Sequence, residues 1–161
     1  MHGAHVADRL QAAMDASGSI ACVGLDPRPE LIPPYLSSGC RRNHPAGRAA
    51  VAAAFQAFNR AIIAAVASRC AAVKFQIACY EAYGPEGLAA LEDGIARARE
   101  LGIPVIVDGK RNDIGSTAVH YRQAWLAAAP GFDGDPLVPG AGADWLTVNG
   151  YLGADCILPM L

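Results

Sequence analysis

The sequence predicts an α/β fold: a parallel (β/α) barrel of the TIM type, represented by about its first four β/α units. Three observations predict it. Short apolar runs alternate four times with segments of helical composition, the pattern of a parallel sheet with right-handed crossovers. The residues that close those runs, Asp26, Lys74, Asp108, Lys110 and Asn149, are polar, and a barrel builds its site from such groups at the C-terminal ends of its strands. The Gly140-Ala141-Gly142 pair precedes a strand instead of coming after one, so it is not the phosphate fingerprint of an open dinucleotide-binding sheet.

Each element has its own signal. Residues 1–17 place Val6, Leu10 and Met14 on one helical face and lack the apolar centre of a signal peptide. Ser19 to Leu25 is a continuous apolar run ending at Asp26-Pro27, hence a buried strand. Pro27 to Pro45 has no periodicity, and a structureless connection of that length is expected to carry function or to cover something. Gly47 to Arg69 is an alanine-rich helix with Val51, Phe55, Phe58, Ile62 and Val66 facing the core. Gln56, Asn59 and Arg60 interrupt it and argue against a membrane span.

Cys70 to Ile77 is the second strand, with Lys74 inside it and Tyr80, Glu81, Tyr83 and Gly84 after it. Pro85 to Leu101 is a helix with proline at its start and Gly102 past its end. Ile103 to Asp108 is the third strand. Ile114 to Ala129 is the third crossover helix, with Asn112 or Asp113 as its N-cap. Pro130 to Ala143 is a glycine- and proline-rich loop, Asp144 to Asn149 a fourth strand, and Gly153 to Leu161 the beginning of a helix.

A full barrel takes about 250 residues, and this chain has 161. Residues 1–161 are therefore expected to form a single domain that is the N-terminal half of a longer enzyme, truncated inside its fourth crossover helix. A net charge of -2 with 53% hydrophobic residues suits a soluble domain with a real core and argues against nucleic acid as the main partner. Cysteines 22, 40, 70, 79 and 156 are odd in number and share no metal-ligand spacing. They read as reduced core thiols of a cytoplasmic protein. Histidines 2, 5, 44 and 120 share no ligand spacing either and are expected at the surface or in loops, so no metal site is predicted.

Chemistry concentrates in residues 105–117. Residues two apart in a strand share a face, so Asp108 and Lys110 project together, with Asp113 just beyond. Asp-Gly after an apolar run is also a hairpin signal, and charges in turns are commonly just solvated. The segment from Ile114 onward is helical in composition, however, with no second strand. Lys74 and Lys110 are the only lysines among 13 basic residues. A genome that favours arginine explains the missing lysines but not these two, each at the end of a β-like run. Lysine can give up a proton near neutral pH and arginine cannot.

Asp108-x-Lys110-x-x-Asp113-Ile114-Gly115-Ser116-Thr117 resembles the signature of orotidine 5'-phosphate decarboxylases. Val23-Gly24-Leu25-Asp26-Pro27 resembles that family's first strand end. Val73-Lys74-Phe75-Gln76 with Tyr80-Glu81-x-Tyr83-Gly84 resembles its second, in the longer bacterial branch, and Thr147-Val148-Asn149 with Tyr151-Leu152-Gly153 its fourth. Gly150 departs from the proline expected in that branch, which should loosen the loop without touching the charges.

The resemblance implies removal of carbon dioxide from orotidine 5'-phosphate to give uridine 5'-phosphate, with no metal or organic cofactor. Lys110 would be the proton donor, with Asp108 and Asp113 holding its ammonium charged and aimed. Asp108 would also lie beside the departing carboxylate and strain the ground state. Asp26 and Lys74 would bind the ribose hydroxyls, and Ile114 would pack on the base. In a homodimer, Asp113 and Thr117 would reach into the neighbour's site. On chemistry alone, simple loop or helix capping accounts equally well for Asp26 and Thr117. Phosphate loops after strands seven and eight are not in these residues, so the 161-residue polypeptide is expected to be inactive by itself. Two alternatives stay open: a sister sugar-phosphate decarboxylase or aldolase barrel that uses magnesium, and a non-catalytic fragment.

Overall fold

The computed structural model describes residues 5–44, 47–133, 135 and 137–161. His2, the first residues of the N-terminal helix reading, Pro45 at the end of the proline-rich connection, and Gly134 and Pro136 lie outside the described residues. The chain clusters into two compact units, Met1–Val105 and Ile106–Leu161.

In the first unit, helix α1 (Val6–Ser17) is capped by His5, whose side chain accepts from the Ala7 amide, and buries no residue. Strand β1 (Cys22–Leu25) runs parallel to β2 (Ala72–Gln76), in register from Cys22 opposite Ala72 to Leu25 opposite Phe75. The expected burial of β1 holds only at Leu25. Cys22 and Gly24 are exposed and Ile20 is 89% exposed. Among the described residues β1 pairs with β2 alone, so an apolar composition meets no second neighbour to cover it. Cys22 is accordingly not a core thiol, and Cys40 and Cys79 are only half-buried, whereas Cys70 and Cys156 are buried; all five are free.

The connection after Asp26 is not structureless. It holds a short 3-10 turn (Pro29–Leu31) and helix α2 (Pro34–Asn43). Pro34 opens α2 where its missing N–H costs nothing, and the Ser38 hydroxyl donates back to the Pro34 carbonyl at 2.5 Å. No residue of α2 is buried, so nothing selected an apolar period there.

Helix α3 (Arg48–Val66) is shorter than expected and rotated. Its buried residues are Ala52, Ala54, Phe55, Asn59 and Ile63, while Val51, Phe58, Ile62 and Val66 are half-buried. Asn59, an interruption by composition, is the polar centre of the stripe: it is fully buried and its Oδ1 accepts the Tyr80 hydroxyl at 3.1 Å. By length and composition α3 could cross a membrane; it packs instead against α5 (Gly84–Glu100), to which the Arg60–Asp93 ion pair also ties it.

A short helix α4 (Ile77–Glu81) joins β2 to α5. Gly87 of α5 lies so close to the Tyr80 carbonyl that a Cβ there would stand 2.1 Å from it. Gly102, at φ +71, ends the helix in the left-handed region that favours glycine. Leu25, Phe55, Val73, Phe75, Ile77, Tyr80, Leu91 and Ile95 fill the core. Each large apolar side chain so buried is worth about 1.5–3 kcal/mol over leaving it in water.

The second unit opens within β3 (Val105–Arg111), which runs three residues beyond the expected end at Asp108. It is parallel to β6 (Trp145–Val148), with Ile106 opposite Trp145, Val107 opposite Leu146 and Arg111 opposite Val148. The register therefore advances four residues on β3 for two on β6, which is a bulge. Helix α6 (Gly115–Trp125) starts later and ends earlier than expected. Its N-cap is Ile114, not Asn112 or Asp113, and it stops because Ala128–Ala129 (β4) pairs antiparallel with Val138–Pro139 (β5). Strands of two residues have no readable period, which is why the sequence reads Ala128–Ala129 as the end of the helix and Val138–Pro139 as part of a plain loop. The Arg111 guanidinium lies 5.4 Å from the Tyr121 ring centre, binding α6 to its strand. The chain continues through a 3-10 turn (Gly150–Leu152), helix α7 (Ala154–Ile157) and a final 3-10 turn (Leu158–Met160), with Cys156 and Met160 buried.

Candidate active site

The bulge in β3 builds the chemically dense part of the second unit. Lys110 sits in it at φ 46, the one non-glycine residue with positive φ among those described. Such a backbone costs a lysine roughly 1–2 kcal/mol. The twist brings the Lys110 ammonium to 2.5 Å from Asp108 Oδ1. The lysine side chain is 65% exposed and the aspartate's 10%, so a buried carboxylate lies beneath a solvent-facing cation. Burying that carboxylate would be costly without charge-assisted partners, and it has them: besides the ammonium, the Thr147 hydroxyl donates to Oδ1 at 2.7 Å. The same hydroxyl accepts the Lys110 amide at 3.0 Å.

The other expected residues of this unit lie in the turn and first helical turn after β3. Asp113 Oδ1 accepts the Ile114 amide at 2.8 Å, so within one chain its carboxylate braces its own turn and does not join Lys110. Ile114 is 51% exposed, and Thr117 stands exposed on α6. Asn149 spends its side chain on the next turn, accepting from the Tyr151 amide at 3.0 Å. Thr147 is the residue that the sequence reading missed. Its signal was available, since it precedes Asn149 by two positions in a strand and shares its face.

In the first unit, Lys74 Nζ lies 3.6 Å from Asp26 Oδ1, with both side chains partly exposed. Lys74 is opposite Gly24 in the ladder, and Asp26 comes immediately after β1. The strand end is pinned from below, because the Tyr80 hydroxyl donates to the Leu25 carbonyl at 3.2 Å. Burial pushes the Tyr80 phenol far above its ordinary range, partly offset by its bond to Asn59, so it remains a donor at any physiological pH. Burial likewise raises the Cys79 thiol, as the less reactive form. Among the described residues no group of three or more histidine, cysteine, aspartate or glutamate side chains could hold a metal ion.

Residues 19–161 match the family model described as orotidine 5'-phosphate decarboxylase / HUMPS family. An orotidine 5'-phosphate decarboxylase of Rhodopirellula baltica is 43% identical over 155 residues, covering 96% of this chain and 49% of that protein. One of Streptomyces coelicolor is 36% identical over 152 residues, 94% of this chain and 47% of that protein. Among solved structures, the OMP decarboxylase of Leishmania donovani superposes with a TM-score of 0.70 at 28% identity, covering 97% of this chain and 48% of that one. Parallel strands alternating with helices, and these neighbours, make the fold class that of a partial TIM-type barrel. The chain spans about half the length of the curated relatives it matches.

Proposed function

Since the chain belongs to the orotidine 5'-phosphate decarboxylase / HUMPS family, we propose that it carries the proton-donating part of an enzyme that converts orotidine 5'-phosphate to uridine 5'-phosphate without a cofactor. The observation that carries this reading is the Lys110–Asp108 pair on a bulged strand end. The difficulty of the reaction is the negative charge left on carbon 6 of the pyrimidine as carbon dioxide departs. A cation fixed at that point stabilises the charge as it develops. The electron pair of the broken C–C bond then takes a proton from Lys110 Nζ, and the amine regains one from solvent. Asp108 holds the ammonium in place and, beside the substrate carboxylate, disfavours the ground state.

Asp26 and Lys74 take the ribose hydroxyls, a role suited to a partly exposed acid just past β1 and an amine on the neighbouring strand β2. Ile114 packs against the base, consistent with its exposure. Asp113 and Thr117 serve the neighbouring subunit of a homodimer. What supports this is that Asp113 does not pair with the lysine of its own chain and Thr117 faces outward. The substrate is a small nucleotide, and the enzyme works in the cytoplasm.

Much of the binding energy for such a substrate comes from its remote phosphate and is used to raise the rate. The 161-residue polypeptide is therefore expected to show no decarboxylation above background. Near-normal turnover by it would overturn that expectation. The chemistry itself is tested by joining this chain to the unmatched part of the Rhodopirellula baltica relative and monitoring loss of orotidine 5'-phosphate. The joined enzyme should decarboxylate equally well with or without a chelator, and Lys110→Ala should cost about a thousandfold or more in kcat. Turnover of a sugar phosphate that stops on chelation, with orotidine 5'-phosphate left unconsumed, would favour a magnesium-dependent sugar-phosphate reaction instead.

A further inference from the structure

We infer that Thr147 is a positioning residue for the Lys110–Asp108 pair, a role that rests on the decarboxylase reading for its catalytic meaning and on geometry alone for its existence. The register skips from Val107 opposite Leu146 to Arg111 opposite Val148, so Asp108, Gly109 and Lys110 together stand opposite the single residue Thr147. A bulge of this kind breaks the ladder, and the positive φ of Lys110 turns its amide away from a regular strand partner. The Thr147 hydroxyl fills that gap, accepting the Lys110 N–H at 3.0 Å.

The direction of each bond is fixed by chemistry. An amide N–H can only donate and a carboxylate can only accept, so the hydroxyl between them must accept from the first and donate to the second. Its proton goes to Asp108 Oδ1 at 2.7 Å, the oxygen that also receives the Lys110 ammonium at 2.5 Å. The four groups close a ring: Lys110 N–H to Thr147 hydroxyl, hydroxyl to Asp108, and Lys110 ammonium back to Asp108. The mobile end of a largely exposed lysine is thereby tied to its own main chain through one hydroxyl and one carboxylate.

Valine would fill the same volume on β6 and suit a strand as well, but it can neither accept nor donate. Serine keeps both bonds. The ring therefore sets a requirement for a hydroxyl at position 147 that packing does not.

The test compares the chain with its Thr147→Ser and Thr147→Val variants by NMR, and needs no substrate. In the unsubstituted chain the Lys110 amide should exchange with solvent at least about tenfold more slowly than in an unfolded peptide, despite its exposed side chain. Exchange at the unfolded rate would overturn the inference without any variant. Thr147→Val should speed that exchange by roughly tenfold and make the Lys110 ammonium mobile, and Thr147→Ser should restore both. A valine variant with an ammonium as ordered as the original would sink the idea. In the joined enzyme, Thr147→Val should lower kcat about tenfold with KM changed by less than about twofold, and Thr147→Ser should stay near the original. An unchanged kcat would overturn the positioning role. If the joined enzyme itself lacks activity, the decarboxylase reading fails while amide exchange and ammonium mobility still decide the ring.

Discussion

Lys110 combines a strained backbone with the group proposed to do the chemistry. Asp108 and Lys110 were legible as partners from their spacing, because strand residues two apart share a face. The actual cause is different: β3 bulges, and a lysine at φ 46 curls its side chain back over Asp108. No local sequence rule announces a lysine in the left-handed region, although the preceding glycine marks a place where strands commonly bulge. Strain of this sort persists where surrounding contacts over-determine it, and here Thr147 and Asp108 supply those contacts. Lys110→Gly and Lys110→Ala both delete the amine and leave Asp108 in the same state. Only alanine keeps the backbone penalty, partly offset by glycine's greater freedom in the unfolded chain. The glycine variant should therefore be the more stable of the two by about 0.5–1 kcal/mol in urea unfolding, with neither turning over substrate. Equal midpoints would mean that the positive φ carries no cost.

At the scale of elements, the sequence locates the four parallel strands and the helices α3, α5 and α6, and misses wherever burial and hydropathy part company. Helix α2 buries nothing and so has no period to read. The β4–β5 hairpin is too short to have one. The stripe on α3 falls one face away from its expected place because Asn59, polar by composition, lies fully buried against Tyr80. That pair also links the helix to β1, since the Tyr80 hydroxyl reaches the Leu25 carbonyl just before Asp26. Tyr80→Phe should cost about 1–2 kcal/mol at pH 7, because it strands a buried carbonyl and a buried amide. The pH dependence has a definite sign. Burial raises the folded-state phenol above its unfolded value of about 10. Its contribution is then fully present below that value and declines as pH rises beyond it, when only the unfolded chain releases the proton. Urea midpoints of the original and the phenylalanine variant should converge above about pH 10. A constant gap between the two curves would contradict a protonated, buried Tyr80.

At the scale of the whole molecule, the fold class was readable because the polar residues Asp26, Lys74, Asp108 and Lys110 each sit at or near a strand's C-terminal end, a pattern of placement more than of composition. An assembly is not readable from spacing, since a residue that served a neighbour would look like an ordinary turn or helix residue in its own chain. Within its own chain Asp113 braces the Ile114 amide and leaves Lys110 to Asp108. If Asp113 completes the partner's site in a homodimer, two inactive variants should rescue each other. The joined enzyme with Lys110→Ala and the joined enzyme with Asp113→Ala should each be nearly inactive alone. Mixed, unfolded and refolded together, half of the dimers would contain one chain of each kind. In such a dimer one site receives both defects and the other receives neither, a consequence of the two-fold exchange of residues across an isologous interface. The mixture should recover about a quarter of the original turnover. If instead each site is built from one chain only, every site carries one defect and the mixture stays inactive, so Asp113 would have to act on the lysine of its own subunit.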